Sequence, residues 1–265
     1  SGSRSRSSRG LRRPRDWVSF AAMPDDAPRS EQSLFLIDGN WYIHRAFNAL
    51  PHMSTRTGQP TNAVFGFALM LVKLMTEFRP SHAAVVFDSP KPSFRHVAFE
   101  HYKSDRPPMA AELGEQIPFI HQLVEGFNLP RIVIDGVEAD DVIATLARQA
   151  QARGVPCVII SGDKDLMQIV GDGIRLLDTF KDKIYDRAEV VERWGVPPGQ
   201  LADLIALMGD VSDSVPGLEG CGEKTARGLI TRFGDVEGVL AHRAEISGRK
   251  IRAALMTPEA PERRR

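Results

Sequence analysis

Nine carboxylates recur in short groups along the chain, and most of them follow an apolar, β-rich run or begin a helix. They are Asp38, Asp88, Glu138, Asp140, Asp141, Asp163, Asp165, Asp210 and Asp213. Two carboxylates about 4 Å apart repel by roughly 4 kcal/mol at an effective dielectric constant near 20. A pocket that holds several of them is tolerable only if protons or metal ions neutralise it. The pattern therefore predicts an acidic site that binds more than one metal ion.

Each acidic group also has a structural explanation. Asp140 and Asp141 would complement a helix dipole, and Asp38 and Asp88 would be turn residues. Taken singly, each is better explained by structure, but their joint placement favours a metal site. Hard oxygen ligands without His or Cys favour Mg²⁺ or Mn²⁺ over zinc. Two such ions, roughly 3.5 to 4 Å apart, would serve in-line cleavage of a phosphodiester.

The predicted strands and helices bring several of these carboxylates to one place. Buried strands are predicted at 34–37, 83–87, 131–134, 157–160 and 174–177, and helices at about 42–50, 62–78, 112–127, 139–153, 201–208 and 224–233. Strands that alternate with helices imply a parallel α/β sheet, which binds ligands beyond the carboxyl ends of its strands. Asp38, Asp88 and Asp163 all follow such strands, so we expect them at one sheet edge.

Length and composition set the broad class of protein. The 265 residues, 42% of them hydrophobic, suffice for one large α/β domain, with or without a small appendage. Lys+Arg and Asp+Glu are equal at 34 each, so net charge does not indicate a partner. Cys157 and Cys221 form no CxxC pair, which predicts a reducing cytoplasm. No apolar run approaches the roughly 18 residues of a membrane span. Residues 1–32, rich in Ser, Arg, Pro and Gly, are predicted to be a disordered basic tail.

A basic segment at residues 89–111 interrupts the regular pattern. It interleaves cations and histidines with aromatic residues: Lys91, Phe94, Arg95, His96, Phe99, His101, Tyr102, Lys103 and Arg106. Such a mixture suits single-stranded nucleic acid, which offers phosphates to pair and bases to stack. A solvated surface loop is the alternative explanation.

A glycine-rich stretch at residues 215–226 separates two predicted helices. It superficially suggests a phosphate-binding P-loop, but Glu223 breaks the spacing before Lys224 and Thr225, and no strand precedes it. A helix-hairpin-helix fits better, because glycines let backbone N–H groups approach a DNA phosphate. An ordinary turn between helices is the alternative.

Six stretches together carry a family resemblance: LFLIDGN, AVVFDSPKPSFRH, YKSDRPPM, GVEADDVIATLA, ISGDKDLMQIV and GDVSDSVPGLEGCGEKTARGLI. In this order they resemble the 5′-nucleases of the flap endonuclease family, most of all the 5′→3′ exonuclease domain of bacterial DNA polymerase I. The resemblance covers about residues 33–245. It implies a PIN-like, mostly parallel sheet flanked by helices, with a helical arch over the active site and a helix-hairpin-helix subdomain. The implied division is a nuclease core at 33–199 with the arch at about 89–111, a DNA-binding region at 200–250 and a tail at 251–265.

The resemblance also implies roles for individual residues. One Mg²⁺ would lie among Asp38, Asp88, Glu138 and Asp140, and the other among Asp163, Asp165 and Asp213. Asp141 and Asp210 would act through water or from outside the ligand set, and Mn²⁺ would substitute for Mg²⁺. Arg95 and Lys103 would steady the scissile phosphate as catalytic cations. The implied DNA-binding residues are His44, Arg95, Lys103, Arg106, Gly217, Gly220, Gly222, Lys224 and Thr225, with K⁺ bound at the hairpin.

His44 departs from the family pattern, which usually has Tyr at this position to stack on a base beside the cleavage site. Imidazole can also stack, but it gains a proton near neutral pH. The function expected is therefore a metal-dependent 5′→3′ exonuclease and 5′-flap endonuclease, a monomer that acts on DNA in replication and repair. Two other functions stay open: a DNA-junction binding module that does not cut, and a PIN-type ribonuclease.

Overall fold

The computed structural model describes residues 33–256 and is built on one six-stranded sheet with the order β3-β2-β1-β4-β5-β6. The strands are β1 (Leu34–Asp38), β2 (His82–Val86), β3 (Arg131–Ile132), β4 (Cys157–Ile160), β5 (Ile174–Asp178) and β6 (Lys183–Tyr185). The first five are parallel, and β6 pairs antiparallel with β5. This confirms the predicted mostly parallel α/β sheet. Residues 1–32, including the predicted basic tail, lie outside the described residues.

β1 lies near the centre of the sheet because both of its faces are apolar. Phe35, Leu36 and Ile37 are each at most 3% exposed, and full burial of such a side chain stabilises the fold by roughly 1.5 to 3 kcal/mol. Ile37 lies opposite Val85 on β2 and Ile160 on β4. The carboxyl ends of these three strands are therefore aligned.

Helices cover both faces of the sheet. They are α1 (Gly39–Ala49), α2 (Asn62–Lys73), α3 (Phe94–Ala98), α4 (Ala111–Gly114), α5 (Ile117–Gly126), α6 (Ala139–Ala152), α7 (Arg187–Trp194), α8 (Leu201–Met208), α9 (Glu223–Phe233), α10 (Val236–Ala241) and α11 (Arg249–Leu255). Helices α1, α2 and α5 pack against one face, for example through Tyr42 and Phe67. The other face packs against α6, and the same core continues through α8 and α9 by way of Leu204 and Ile230.

The predicted helix at 112–127 is wrong in one respect, because the structure divides it into α4 and α5. The division lies at Gln116, which is fully buried. Its side-chain Oε1 accepts hydrogen bonds from the backbone N–H groups of Ala63 (2.8 Å) and Val64 (3.2 Å) at the start of α2. These first-turn N–H groups have no partner within their own helix. A tertiary contact therefore overrides the helical pattern.

Other differences concern short elements. β3 is only two residues long, β6 and α7 were not predicted, and α2 ends at Lys73 with a π-helical turn, Leu74–Phe78, after it. Helix α11 occupies part of the range predicted as a tail, and its Ile251 and Leu255 are buried. None of the helices in the described part of the chain has the length and apolarity that a bilayer crossing requires.

Candidate metal centre

A cleft of about 400 Å³ opens beyond the carboxyl ends of β1, β2 and β4. Seven of the nine predicted carboxylates line it: Asp38, Asp88, Glu138, Asp140, Asp163, Asp165 and Asp213. Asp141 and Asp210 lie behind this lining, where each pairs with a cation. The edge of the sheet therefore brings together side chains that are up to 175 positions apart in the chain.

Asp38 occupies the end of β1, where it also caps α1. Its Oδ1 accepts a hydrogen bond from the Trp41 backbone N–H (3.0 Å), and its Oδ2 accepts one from the Ser161 hydroxyl (2.8 Å). It is only 3% exposed. Burial, followed by the nearby charges of Asp163 and Asp88, raises the pKa of Asp38 to about 7. Without a cation, this carboxyl holds a proton near neutrality.

Asp88 connects the strand edge to two helices. Its Oδ1 accepts from the Ala139 backbone N–H at the start of α6 (2.7 Å), and its Oδ2 accepts from the Asn40 amide in α1 (2.9 Å). The next residue of α6, Asp140, points into the same acidic surroundings. Burial, with the charges of Asp38, Asp163 and Asp88, raises the pKa of Asp140 to about 9. Because the pKa of Asp140 is raised above those of Asp38 and Asp165, its ionised form at neutral pH depends most on a neutralising cation.

A second group of carboxylates lies between β4 and the start of the glycine hairpin. Carboxylate oxygens of Asp165, Asp210 and Asp213 all lie within 4.8 Å of one another. Burial, and then the charge of Asp163, raises the pKa of Asp165 to about 6. Its Oδ1 is buried and has no hydrogen-bond partner among the described residues. Lys164 Nζ lies 3.8 Å from this oxygen, at ion-pair distance but beyond a hydrogen bond. A buried carboxylate oxygen without a hydrogen bond in an acidic group fits a metal ligand.

Cations from residues 89–111 face the acidic cleft. Arg95 donates two hydrogen bonds to Asp141, at 2.6 and 2.8 Å. Lys103 Nζ lies 3.0 Å from Glu138, and Arg106 lies 2.6 Å from Asp213. The predicted cationic segment and the predicted acidic site are therefore in direct contact.

These ion pairs change the pKa values of their carboxylates. Burial alone would raise the pKa of Asp141, but the hydrogen bonds and charge of Arg95 hold it below its usual value. Burial likewise opposes ionisation of Glu138, and hydrogen bonds from Lys103, Ser93 and Tyr102 hold its pKa low. Both groups are ionised at neutral pH, in contrast to Asp38 and Asp140.

Tyr102 and Ser93 anchor the basic segment to Glu138, and sequence reasoning gave neither this role. The Tyr102 hydroxyl lies 2.9 Å from Glu138 Oε2 and 3.1 Å from Asp213 Oδ2, and Ser93 Oγ donates to Glu138 Oε1 (2.9 Å). Lys103 follows with a left-handed backbone (φ +55°). The residues between the cations therefore fix where the cations lie.

Four further polar residues of the site were missed as site residues. Asn40 holds Asp88, Ser161 holds Asp38, and Lys164 pairs with Asp210 at 2.6 Å. Ser212 adds a backbone N–H to Asp210 (2.9 Å). Each lies within two residues of a predicted carboxylate, so proximity in the sequence is the signal that could have found them.

The donor set fits divalent cations. The carboxylates of the cleft offer hard oxygen ligands and outnumber the cations that line it, and such ligands suit Mg²⁺ or Mn²⁺. Burial is the largest cause of the raised pKa values of Asp38, Asp140 and Asp165, and the charges of neighbouring carboxylates add to it.

We expect the metal-free protein to lose stability as pH rises from about 5 to 9. In the folded state Asp165, Asp38 and Asp140 have pKa values of about 6, 7 and 9, whereas an unfolded Asp titrates near about 3.9. The folded state therefore binds more protons across this range, and stability falls as they are lost. Mg²⁺ replaces those protons, so it should raise the melting temperature more at pH 8.5 than at pH 5.5. Thermal melts in EDTA and in Mg²⁺ test this; equal Mg²⁺ shifts at both pH values would contradict it.

The glycine hairpin between α8 and α9 begins beside the second carboxylate group. Gly217 packs against the end of α8: a Cβ there would lie 2.3 Å from the Met208 carbonyl carbon. The Leu218 backbone N–H then donates to the Leu207 carbonyl (2.8 Å), and Gly220 has φ +79°. Gly217 is therefore required because a side chain there would clash with the end of α8, and Gly220 is favoured because its backbone is left-handed.

The start of α9 presents an open surface. Gly222 precedes the helix, and a Cβ added to it would meet nothing within 4 Å. Lys224 and Thr225 in the first turn are exposed. Among the described residues no side chain caps this helix. The Thr225 backbone N–H donates to the Gly222 carbonyl (2.9 Å), and the exposed, uncapped start of the helix suits an anion.

His44 is exposed on α1 and lines the acidic cleft. Partial burial, followed by the charge of Arg106, lowers the pKa of His44 below its ordinary value. The neutral imidazole therefore predominates at pH 7 to 8, and protonation is confined to more acidic solution.

The fold places the chain in a known structural class. It is similar to a crystal structure of the bacteriophage T5 flap endonuclease in a pseudo-enzyme–product complex with DNA and metal ions. The TM-score is 0.71 at 22% sequence identity, over 88% of this chain and 86% of that one. At this identity the similarity establishes the fold.

Sequence comparisons identify the family. Residues 33–195 match the model of the 5′-3′ exonuclease N-terminal resolvase-like domain, and residues 196–261 match that of the C-terminal SAM fold. The chain therefore belongs to the 5′-3′ exonuclease family. It is 39% identical to the 5′-3′ exonuclease of Aquifex aeolicus, over 79% of this chain and 72% of that protein. It is 43% identical to DNA polymerase I of Rhizobium leguminosarum over 84% of this chain, which spans about a quarter (23%) of that polymerase.

Proposed function

We propose that the protein is a metal-dependent 5′→3′ exonuclease and 5′-flap endonuclease that hydrolyses DNA phosphodiester bonds. The observation that carries this proposal is a cleft lined by seven carboxylates, two of which, Glu138 and Asp213, directly contact cations of residues 89–111. Cations that can turn towards a phosphate and carboxylates that can hold metal ions are the two parts that phosphodiester hydrolysis needs.

In this proposal two Mg²⁺ ions occupy the cleft. Asp38, Asp88, Glu138 and Asp140 would hold one, and Asp163, Asp165 and Asp213 would hold the other, with Asp141 and Asp210 in support. The ions would supply an activated water and stabilise the leaving oxygen. The location of Asp210 within 4.8 Å of Asp165 and Asp213 makes it a candidate for direct ligation as well. Mn²⁺ would serve as a substitute, because it takes the same oxygen ligands.

The protein's own cations would orient the DNA. Arg95 and Lys103 would steady the scissile phosphate, and their contacts with Asp141 and Glu138 hold them at the metal cleft. The exposed start of α9, with Gly222, Lys224 and Thr225, would bind a phosphate of the duplex, with K⁺ as a bound counter-ion. Neither contact reads base identity, so the specificity would be for structure rather than sequence.

The decisive test is product-length analysis on a 5′-labelled flap duplex with Mg²⁺, Mn²⁺ or EDTA. We expect short 5′ products with either metal and none with EDTA. Parallel RNA and DNA substrates separate this function from that of a ribonuclease. Tight binding without cleavage in Mg²⁺ would instead support a junction-binding module.

Replacing His44 with Tyr should raise flap cleavage at pH 8. Imidazole is neutral there, so the gain would come from the larger stacking area of the phenol ring; base stacking on an aromatic side chain contributes roughly 1 to 3 kcal/mol. Initial rates at subsaturating DNA measure the effect, and His44→Phe separates stacking from the hydroxyl. An unchanged cleavage rate in both variants would contradict a stacking role for residue 44.

We place this activity in replication and repair in a bacterial cytoplasm, with DNA as partner and the monomer as the working unit. The bacterial DNA polymerases that the chain resembles support this placement.

A further inference from the structure

An aromatic surface beside the metal cleft has no role in the proposed mechanism. It begins at Trp41, which lines the cleft from the first turn of α1. Its ring packs directly on Gly162: a Cβ at that glycine would lie 2.2 Å from Trp41 Cζ2. Gly162 immediately precedes Asp163 in the chain. The indole is therefore held against the backbone that carries one of the proposed metal ligands.

Phe180 continues this surface away from the cleft. Its ring centroid lies 5.6 Å from that of Trp41, in an edge-to-face arrangement, and 5.7 Å from that of Tyr42. The ring is 38% exposed. The turn that carries it is well fixed, because buried Asp178 accepts hydrogen bonds from the backbone N–H groups of Phe180 (3.0 Å) and Lys181 (3.1 Å). An exposed ring on a fixed turn suits a contact surface.

Cations flank the aromatic pair. The guanidinium of exposed Arg45 lies over the Phe180 ring, with its carbon 5.0 Å from the ring centroid, and Arg45 also lines the cleft beside Trp41. A base that stacks on Phe180 would take the place of this side chain, which could then pair with a phosphate. Lys181, next in the chain, is 63% exposed. Aromatic rings beside cations bind single-stranded nucleic acid, since the rings stack on bases and the cations pair with phosphates.

We propose that Trp41 and Phe180 form a stacking platform for an unpaired base of the DNA substrate. In the sheet order, Asp38 on β1 and the strand before Asp163 lie between β2 and β5. The basic segment follows β2 and Phe180 follows β5, so Asp38 and Asp163 lie between the basic segment and the platform. It would hold the single strand at a second point beside the cleft. This inference rests on the proposed function, because it concerns the same DNA.

The test compares Phe180→Ala, Phe180→Leu and Phe180→Tyr for binding of a fluorescent flap DNA in EDTA. Loss of one stacked base is expected to weaken binding roughly 5- to 150-fold in the Ala and Leu variants, while Tyr retains the wild-type affinity. Leu keeps apolar bulk without a π-face, so it separates stacking from packing. Phe65→Ala, a 42% exposed phenylalanine on α2, is the matched control and should bind like the wild type.

A scan of flap substrates with single abasic nucleotides completes the test. If Phe180 stacks on one base, one abasic position removes the difference between wild type and Phe180→Ala. A difference that persists equally at every position, or wild-type affinity in Phe180→Leu, would overturn the platform. The proposed function is tested separately by the wild-type protein. If it cleaves flap DNA, that function holds whatever the Phe180 variants do; if it neither binds nor cleaves flap DNA, the proposed function is refuted.

Discussion

Replacing both Asp163 and Asp165 with Asn is expected to reduce cleavage of a 5′-labelled flap DNA by about 1000-fold or more. The two carboxylates belong to the acidic cleft, and loss of charge stabilisation by a metal ion removes several kcal/mol from the transition state. Asn keeps the shape: its side-chain oxygen at position 163 can still accept from the backbone N–H of residue 165, as Asp163 does now at 2.9 Å. Single-turnover cleavage in Mg²⁺ measures the loss.

The same double variant should fold at least as well as the wild type, because two mutually repelling charges are gone. Its affinity for flap DNA in EDTA should be equal or higher for the same reason. Asp172→Asn, an exposed carboxylate outside the acidic cleft, serves as the control and should cleave normally. If the double variant cleaves at close to the wild-type rate, the proposed two-metal mechanism is refuted.

Replacing Arg95 and Lys103 together with Ala should reduce the maximal cleavage rate by about 100-fold or more, since removal of one preorganised donor to a developing negative charge costs about 100- to 1000-fold. Substrate affinity should change less, because the start of α9 and the rest of the basic segment would still contact the DNA in the proposed complex. Single-turnover rates at saturating DNA separate the two quantities.

The matched control for this pair is Arg148→Ala, which removes an exposed arginine of α6 whose guanidinium donates a hydrogen bond to the Gln151 side chain (2.9 Å). Arg95→Lys keeps the charge but not the two parallel hydrogen bonds to Asp141, so it should be intermediate. A large rise in Kd with an unchanged maximal rate would contradict the catalytic role and leave Arg95 and Lys103 as binding residues.

The sequence predicted the sheet and its acidic edge because both depend on local, repeated patterns. Buried strands are short apolar runs, and the parallel arrangement brings the residues after them together, as with Asp38 and Asp88. Such local patterns do not predict contacts between segments that are distant in the sequence. Gln116 divides a helix because it caps α2, and no periodic signal in either segment records that pairing.

The sequence also could not predict which cation pairs with which carboxylate. The basic segment was predicted as a unit, but Tyr102 decides where Lys103 lies, through a hydroxyl that bridges Glu138 and Asp213. An aromatic residue between two charges reads equally well as a base-stacking residue. Burial, which only the fold supplies, distinguishes the two: Tyr102 is 9% exposed and faces the carboxylates.

The core shared by the sheet and the helix-hairpin-helix has a consequence for where the DNA would be cut. Helices α8 and α9 continue the apolar core of α6 and β4, and Asp210 and Asp213, at the start of the hairpin, belong to the acidic groups of the cleft. The proposed phosphate-binding site at α9 and the proposed cleavage site therefore lie on one continuous core, at a set distance from each other. That distance would fix the scissile bond relative to the duplex, so lengthening the flap would leave the cut position on the DNA unchanged.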